Sequence, residues 1–125
     1  MKMKTIRILS ALTALMGIVH ICATFSPLIS GKLGCLDAGT YNAMIYMSLM
    51  CGLLLVVLGG FIWWAVGRVA EHLLLKPLLT VASLLLLADG VLAVIFMPHN
   101  PCAWVILLLS LLLNVFGTKR LMKPR

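Results

Sequence analysis

The length of the apolar segments limits this chain more than any other feature. Four segments, near residues 5–25, 41–67, 73–97 and 101–117, are almost free of charged side chains. A transmembrane helix takes about 20 such residues. Only 10% of the chain is charged, whereas a soluble domain has about 25%. The sequence predicts an all-α integral membrane protein in which all four segments cross the bilayer.

The connections between these segments are short and contain residues that break helices. Residues 26–40 hold Pro27 and three glycines, residues 68–72 form a charged turn, and residues 98–101 form a tight corner. Short connections place successive helices antiparallel. We therefore expect one domain over residues 1–125, an up-down-up-down four-helix bundle. The first apolar segment is long enough to span, which favours a helix over a removable signal peptide.

The basic residues predict the orientation of the bundle. Lys32 would lie on one side of the membrane, and the other nine Lys and Arg residues on the opposite side: Lys2, Lys4, Arg7, Arg68, Lys76, Lys119, Arg120, Lys123 and Arg125. Lys and Arg collect in cytoplasmic loops. Both termini are expected in the cytoplasm, in a multi-pass protein of the inner (plasma) membrane. Because the basic residues end apolar runs, the net charge of +7 does not indicate nucleic-acid binding.

Small and polar residues recur at helical spacing in the first and fourth segments, and the second segment carries four glycines. The rows are Ser10, Thr13, Gly17, His20 and Thr24; Gly52, Gly59, Gly60 and Gly67; and Ala103, Leu107, Ser110, Asn114 and Gly117. Small side chains let helices approach closely in lipid. These faces are expected to form the interior of the bundle.

One acid, Asp89, lies inside an apolar segment. An ionisable group within a membrane span is costly and is a functional candidate by default. At 1.5 Å per residue, Asp89 and His20 fall at similar depth from the outer ends of their helices. If the first and third spans face each other, the two can share a hydrogen bond. Such a pair is either a proton relay or ligand site, or a structural contact that fixes helix register.

His99 and Asn100 are two further candidates for a ligand or proton-relay site, at the last corner. Asn100 precedes Pro101, an arrangement typical of a helix cap. Nothing in the spacing of His20 and His99 requires a haem or a metal ion. The sequence predicts no cofactor and no metal site.

The four cysteines are Cys22, Cys35, Cys51 and Cys102. No two form a Cys-x-x-Cys pair, which does not favour a thiol redox enzyme. Cys35 and Cys102 would both lie outside, where an oxidising compartment permits a disulfide between them.

The sequence supports three classes of function. Because no catalytic motif is present and several helices carry small-residue faces, the leading hypothesis is a non-enzymatic subunit or accessory of a membrane assembly, or a homo-oligomer. Its partners would be the bilayer and other membrane proteins or further copies. One alternative is a transporter or channel that uses Asp89 and His20. The other is an enzyme acting on a lipid or quinone within the bilayer.

Overall fold

The computed structural model describes residues 3–69, 71–72 and 74–121. The regular structure of these residues is entirely helical: α1 (Met3–Thr24), α2 (Pro27–Leu33), α3 (Ala38–Val66), α4 (Leu75–Phe96) and α5 (Pro101–Leu121). The predicted all-α chain is confirmed, and the four long helices begin and end within four residues of their predicted bounds. The predicted boundary at residue 73 lies outside the described residues.

Three of the described helices, α1, α3 and α4, are long and apolar enough to cross a membrane. The apolar part of α5, Pro101–Gly117, is shorter. Apolar side chains on the outer surface of the bundle, such as Tyr46, Leu53 and Ile95, are exposed. These features are those of a membrane protein, while the fourth span and the orientation stay predictions.

Local sequence explains where the helices begin. Asp37 caps α3, because its Oδ1 accepts hydrogen bonds from the backbone N–H groups of Gly39 and Thr40 at 3.0 and 3.1 Å. Pro27 and Pro101 occupy the first positions of α2 and α5, where a missing N–H costs nothing. Residues 26–40, which the sequence predicts to be a break between helices, contain the seven-residue helix α2.

The four long helices close a ring in which α1 packs on α3, α3 on α4, α4 on α5 and α5 on α1. The interface of α1 and α3 is the most extensive. Helices α1 and α4 therefore lie across the diagonal of the bundle. We name the end that carries α2 the α2 end, and the end that carries Met3 and Leu121 the terminal end.

The predicted small-residue faces form much of this packing. Ser10, Thr13, Gly17 and Thr24 of α1 are buried, as are Gly52 and Gly59 of α3 and Ala103 and Ser110 of α5. At Gly17 the backbones of α1 and α3 nearly touch, because a Cβ there would lie 2.6 Å from the carbonyl oxygen of Gly52. Gly60 is the exception: it is exposed on the outer surface.

Candidate functional site

Five polar side chains of α1, α3 and α4 in the half of the bundle nearer the α2 end form two contacts, both of which involve α3. His20 and Thr24 lie one turn apart on α1, and Ser48 and Cys51 lie one turn apart on α3. Helical spacing places each pair on one face. Asp89 of α4 completes the group, and we call these five residues the polar cluster.

A hydroxyl network joins α1 to α3. Thr24 Oγ1 donates to the carbonyl oxygen of His20 at 2.9 Å and lies 2.7 Å from Ser48 Oγ. Ser48 Oγ lies 3.1 Å from His20 Nε2. Each hydroxyl has one proton to donate. The tautomer of His20 therefore sets the direction of the hydrogen bonds among His20, Ser48 and Thr24.

Asp89 bonds to α3 rather than to α1. Its carboxylate accepts from the Cys51 thiol, with Sγ at 3.5 and 3.8 Å from Oδ1 and Oδ2. Ser48 and Cys51, one turn apart on α3, hold His20 and Asp89 near each other. The structure thus brings the two sequence-predicted residues together at one depth, with hydrogen bonds to Ser48 and Cys51 in place of the direct bond expected if their helices faced each other.

Asp89 lies at the border between the buried and exposed sides of α4. Leu86 and Ala93 on one side of it are buried, and Leu85 and Leu92 on the other side are 49% and 53% exposed. The carboxyl group is itself only partly buried. We call the line between α3 and α4 at Cys51 and Asp89 the α3–α4 seam. Through it, an acid comes near the outer surface of the bundle.

A second polar contact joins α4 to α5 nearer the terminal end. Asn114 Nδ2 donates to the carbonyl oxygens of Ser83 and Ser110 at 2.7 and 3.0 Å. Ser83 Oγ lies 3.3 Å from Asn114 Oδ1 and 3.0 Å from the carbonyl oxygen of Thr80, which share its one proton. The amide therefore uses both its donors. This contact fixes the register of the two helices.

His99 and Asn100, the candidates at the last corner, do not belong to the polar cluster. Asn100 Oδ1 accepts from the backbone N–H of Cys102 at 3.0 Å, which confirms the predicted cap. His99 is exposed at the corner. Nearby, Trp104 Nε1 donates to the carbonyl oxygen of Pro98 at 2.9 Å and closes the turn.

Both cysteines of the predicted disulfide, Cys35 and Cys102, are exposed, and all four cysteines of the chain are free thiols in this structure. Cys35 Sγ lies 3.8 Å from the carbonyl oxygen of Lys32. The Cys35–Cys102 disulfide stays a prediction. In the described part of the chain, no group of three or more His, Cys, Asp or Glu side chains is arranged to hold a metal ion.

Outside the helices, hydrogen bonds from Thr40 and Gly39 hold the pKa of Asp37 below its ordinary value. These donors stabilise the charged carboxylate that caps α3.

Two cavities lie away from the polar cluster. One of about 30 Å³, roomy enough for one water, lies in the interior and is lined by Ile6, Ile62, Val66, Val69, Leu79, Ser83, Leu113 and Gly117. The other is an open groove on the outer surface between α1 and α3. Neither is lined by Asp89, His20 or His99.

Sequence reasoning found His20 and Asp89 but missed the partners that satisfy them. Ser48 and Cys51 are three residues apart on an apolar helix, a spacing that places them on one face. That spacing could have indicated a second polar face on α3, but the small-residue face was drawn from the glycines of this helix alone. Comparison with family models, with curated proteins and with solved structures gives no match for this chain.

Proposed function

We propose that this protein is a non-enzymatic subunit of a membrane assembly, and that the α3–α4 seam is the face that meets its partner. In this proposal all four long helices cross the inner membrane, with both termini in the cytoplasm. The partner is another membrane protein or a further copy of the chain.

The observation that carries the proposal is the position of Asp89. A carboxyl group facing hydrocarbon is costly, and acids within membrane spans almost always pair inside a bundle. The partner of Asp89 on α3 is a thiol, a weak donor, and Leu85 and Leu92 beside it are exposed. A polar or basic group from a neighbouring helix would complete the hydrogen bonds of the carboxyl and cover it from lipid.

The rest of the interior favours a structural role over transport. Leu55 and Leu86 are both fully buried in the apolar core. Leu55 lies one turn beyond Cys51 on α3, and Leu86 lies almost one turn before Asp89 on α4, both on the side of the terminal end. On α3 and α4 they form an apolar layer between the polar cluster and Ser83. A solute pathway needs a polar route that continues past this layer.

The lipid-enzyme alternative requires a pocket at the reacting groups. A site of this kind is concave and holds its substrate against convergent polar groups. The open groove on the outer surface is apolar and is lined by α1 and α3 away from Asp89. The geometry therefore supports association between helices better than chemistry on a lipid.

The test is extraction of the protein from its native membrane in mild detergent, followed by native mass spectrometry. We expect a complex of fixed stoichiometry, which Asp89→Leu disrupts because it removes the polar contact across the seam. Leu84→Ala is the control, since Leu84 is exposed on the opposite side of α4. Recovery of wild-type protein only as a single chain contradicts the proposal, as does an intact complex with Asp89→Leu.

A further inference from the structure

An open groove runs along the outer surface between α1 and α3, on the side of α3 away from the seam. It has a volume of about 350 Å³ and is lined on α1 by residues between Ala11 and Ile18, and on α3 by Gly59, Gly60 and Trp63. From Ala11 to Ile18 it extends roughly 10 Å along the helix axis. The lining is almost wholly apolar.

The groove exists because small residues form its floor and large ones its sides. Gly59 brings the helices into backbone contact, since a Cβ there would lie 2.8 Å from the backbone nitrogen of Ala14. Gly60 beside it has no atom within 4 Å of a Cβ position. Leu15 and Trp63, which are 53% and 50% exposed, stand at its edges. The shape suits one flexible hydrocarbon chain.

The end of the groove nearest the chain terminus is cationic. Arg7 lies one turn before Ala11, and its guanidinium carbon is 5.7 Å from the centre of the Trp63 ring. Arg7 Nε is buried, and no hydrogen-bond partner for it is present in the described residues. Lys4 is exposed and lies seven residues before Ala11, so it shares this face of α1.

We propose that the α1–α3 groove binds an anionic phospholipid, with an acyl chain along Gly60 and Ala11 and the phosphate at Arg7 and Lys4. An apolar groove with a cationic end fits the acyl chain and the phosphate of this lipid. The guanidinium bonds phosphate oxygens in a fixed fork, and basic residues at a membrane surface attract anionic headgroups. A helix of a second copy would bring its own Arg7 and Lys4, which repel the same charges.

The proposal needs only that α1 and α3 lie in the membrane, for which both are long and apolar enough. It is independent of the partner proposed at the α3–α4 seam, because the groove is on the other side of α3. One can fail while the other holds.

The test is lipid retention by the full chain, reconstituted in nanodiscs of phosphatidylcholine and phosphatidylglycerol and released for native mass spectrometry. We expect wild-type protein to retain phosphatidylglycerol about tenfold over phosphatidylcholine, as two basic contacts at a membrane surface allow. Arg7→Gln should abolish this preference and leave chain binding. Raised salt should weaken the preference, because exposed charges are screened.

Three glycine variants separate the groove from the headgroup site. Gly60→Leu fills the floor and should lose the bound lipid of either kind, while Gly31→Leu, at another open glycine with nothing within 4 Å, should retain it. Gly67→Ala should lose the headgroup preference alone, because a Cβ at residue 67 would displace the flexible guanidinium of Arg7. Circular dichroism is the check that each variant is folded.

Equal retention of both lipids by wild-type protein overturns the proposal. Undiminished lipid binding by Gly60→Leu overturns it as well. A third contrary result is a dimer in the nanodisc that Gly60→Leu converts to monomer, because the groove would then hold a second copy of the chain.

Discussion

Helix α3 packs against its two long neighbours in different ways. Toward α1 it offers glycine, and the backbones touch at Gly52 and Gly59. Toward α4, at the same end of the bundle, it offers the thiol of Cys51 to the carboxyl group of Asp89. The glycine contacts are made within the chain, whereas the half-buried acid still has hydrogen-bonding capacity. The difference separates the contact that holds α1 and α3 together from the seam that is open to a protein partner.

The largest effect is expected from filling the close-packed side. Gly59→Leu should destabilise the bundle by about 3 kcal/mol or more, because the new side chain meets the backbone of α1 at Ser10 and Ala14 and neither can yield. Gly60→Leu, one residue further along α3, should unfold at the same denaturant concentration as wild type or at a higher one, since the Cβ position of Gly60 is open. Unfolding in mixed detergent measures both. An equal loss of stability in the two variants would show that backbone contact does not hold α1 and α3 together.

A change of opposite sign is expected at the seam. Asp89→Leu should stabilise the isolated chain by about 2 kcal/mol. It removes an acid that costs about 2.5–3.5 kcal/mol at the centre of a membrane helix and gives up a contact worth roughly 0.6 kcal/mol. The same variant should lose the partner. If it instead lowers the stability of the single chain, Asp89 is a structural residue and the seam is complete without a partner.

A smaller effect is expected at the polar contact that is already satisfied. Asn114→Leu should cost about 1 kcal/mol, since it removes the hydrogen bonds that join α5 to α4 at Ser83. The complex with a partner should remain. Loss of the complex in this variant, with the chain still folded, would move the partner surface from the seam to α5.

The smallest effect concerns the cap of α3. The pKa of Asp37 is lowered in the folded chain, so its stabilisation is present above the ordinary aspartate pKa of about 3.9 and is lost as the pH falls below it. The protection of the Gly39 and Thr40 amides against hydrogen exchange, measured relative to their intrinsic exchange rates at each pH, should therefore fall in acid. Asp37→Asn should keep a cap but remove this pH dependence. The same acid response in both proteins would assign it to another group.

Much of the fold could be predicted because the lengths of the apolar segments and the helix-breaking residues between them determine where each helix begins and ends. Pro101 and Asn100 mark the start of α5, and the stripe from Ser10 to Thr24 marks the packed face of α1. The short helix α2 was missed because Gly31 and Gly34 are typical of loops. Gly60 was assigned to the interior with its neighbours, although 100° per residue carries it to the outer surface.

The site could be predicted only in part. The cost of an acid in hydrocarbon singles out Asp89 from the sequence alone. Its bonding partner depends on which helices are neighbours around the bundle, and short loops leave that order open. Once α1 and α4 lie on the diagonal, Ser48 and Cys51 of α3 become the partners of His20 and Asp89.

The most direct test of the seam as a partner face is photo-cross-linking in the native membrane. A benzophenone amino acid replaces Leu85, beside Asp89, or Leu84, on the opposite side of the same helix; the two leucines are 49% and 52% exposed. We predict that residue 85 captures a protein of defined mass or a second copy, and that residue 84 captures only lipid. Capture of lipid alone at both positions would contradict a partner at the α3–α4 seam.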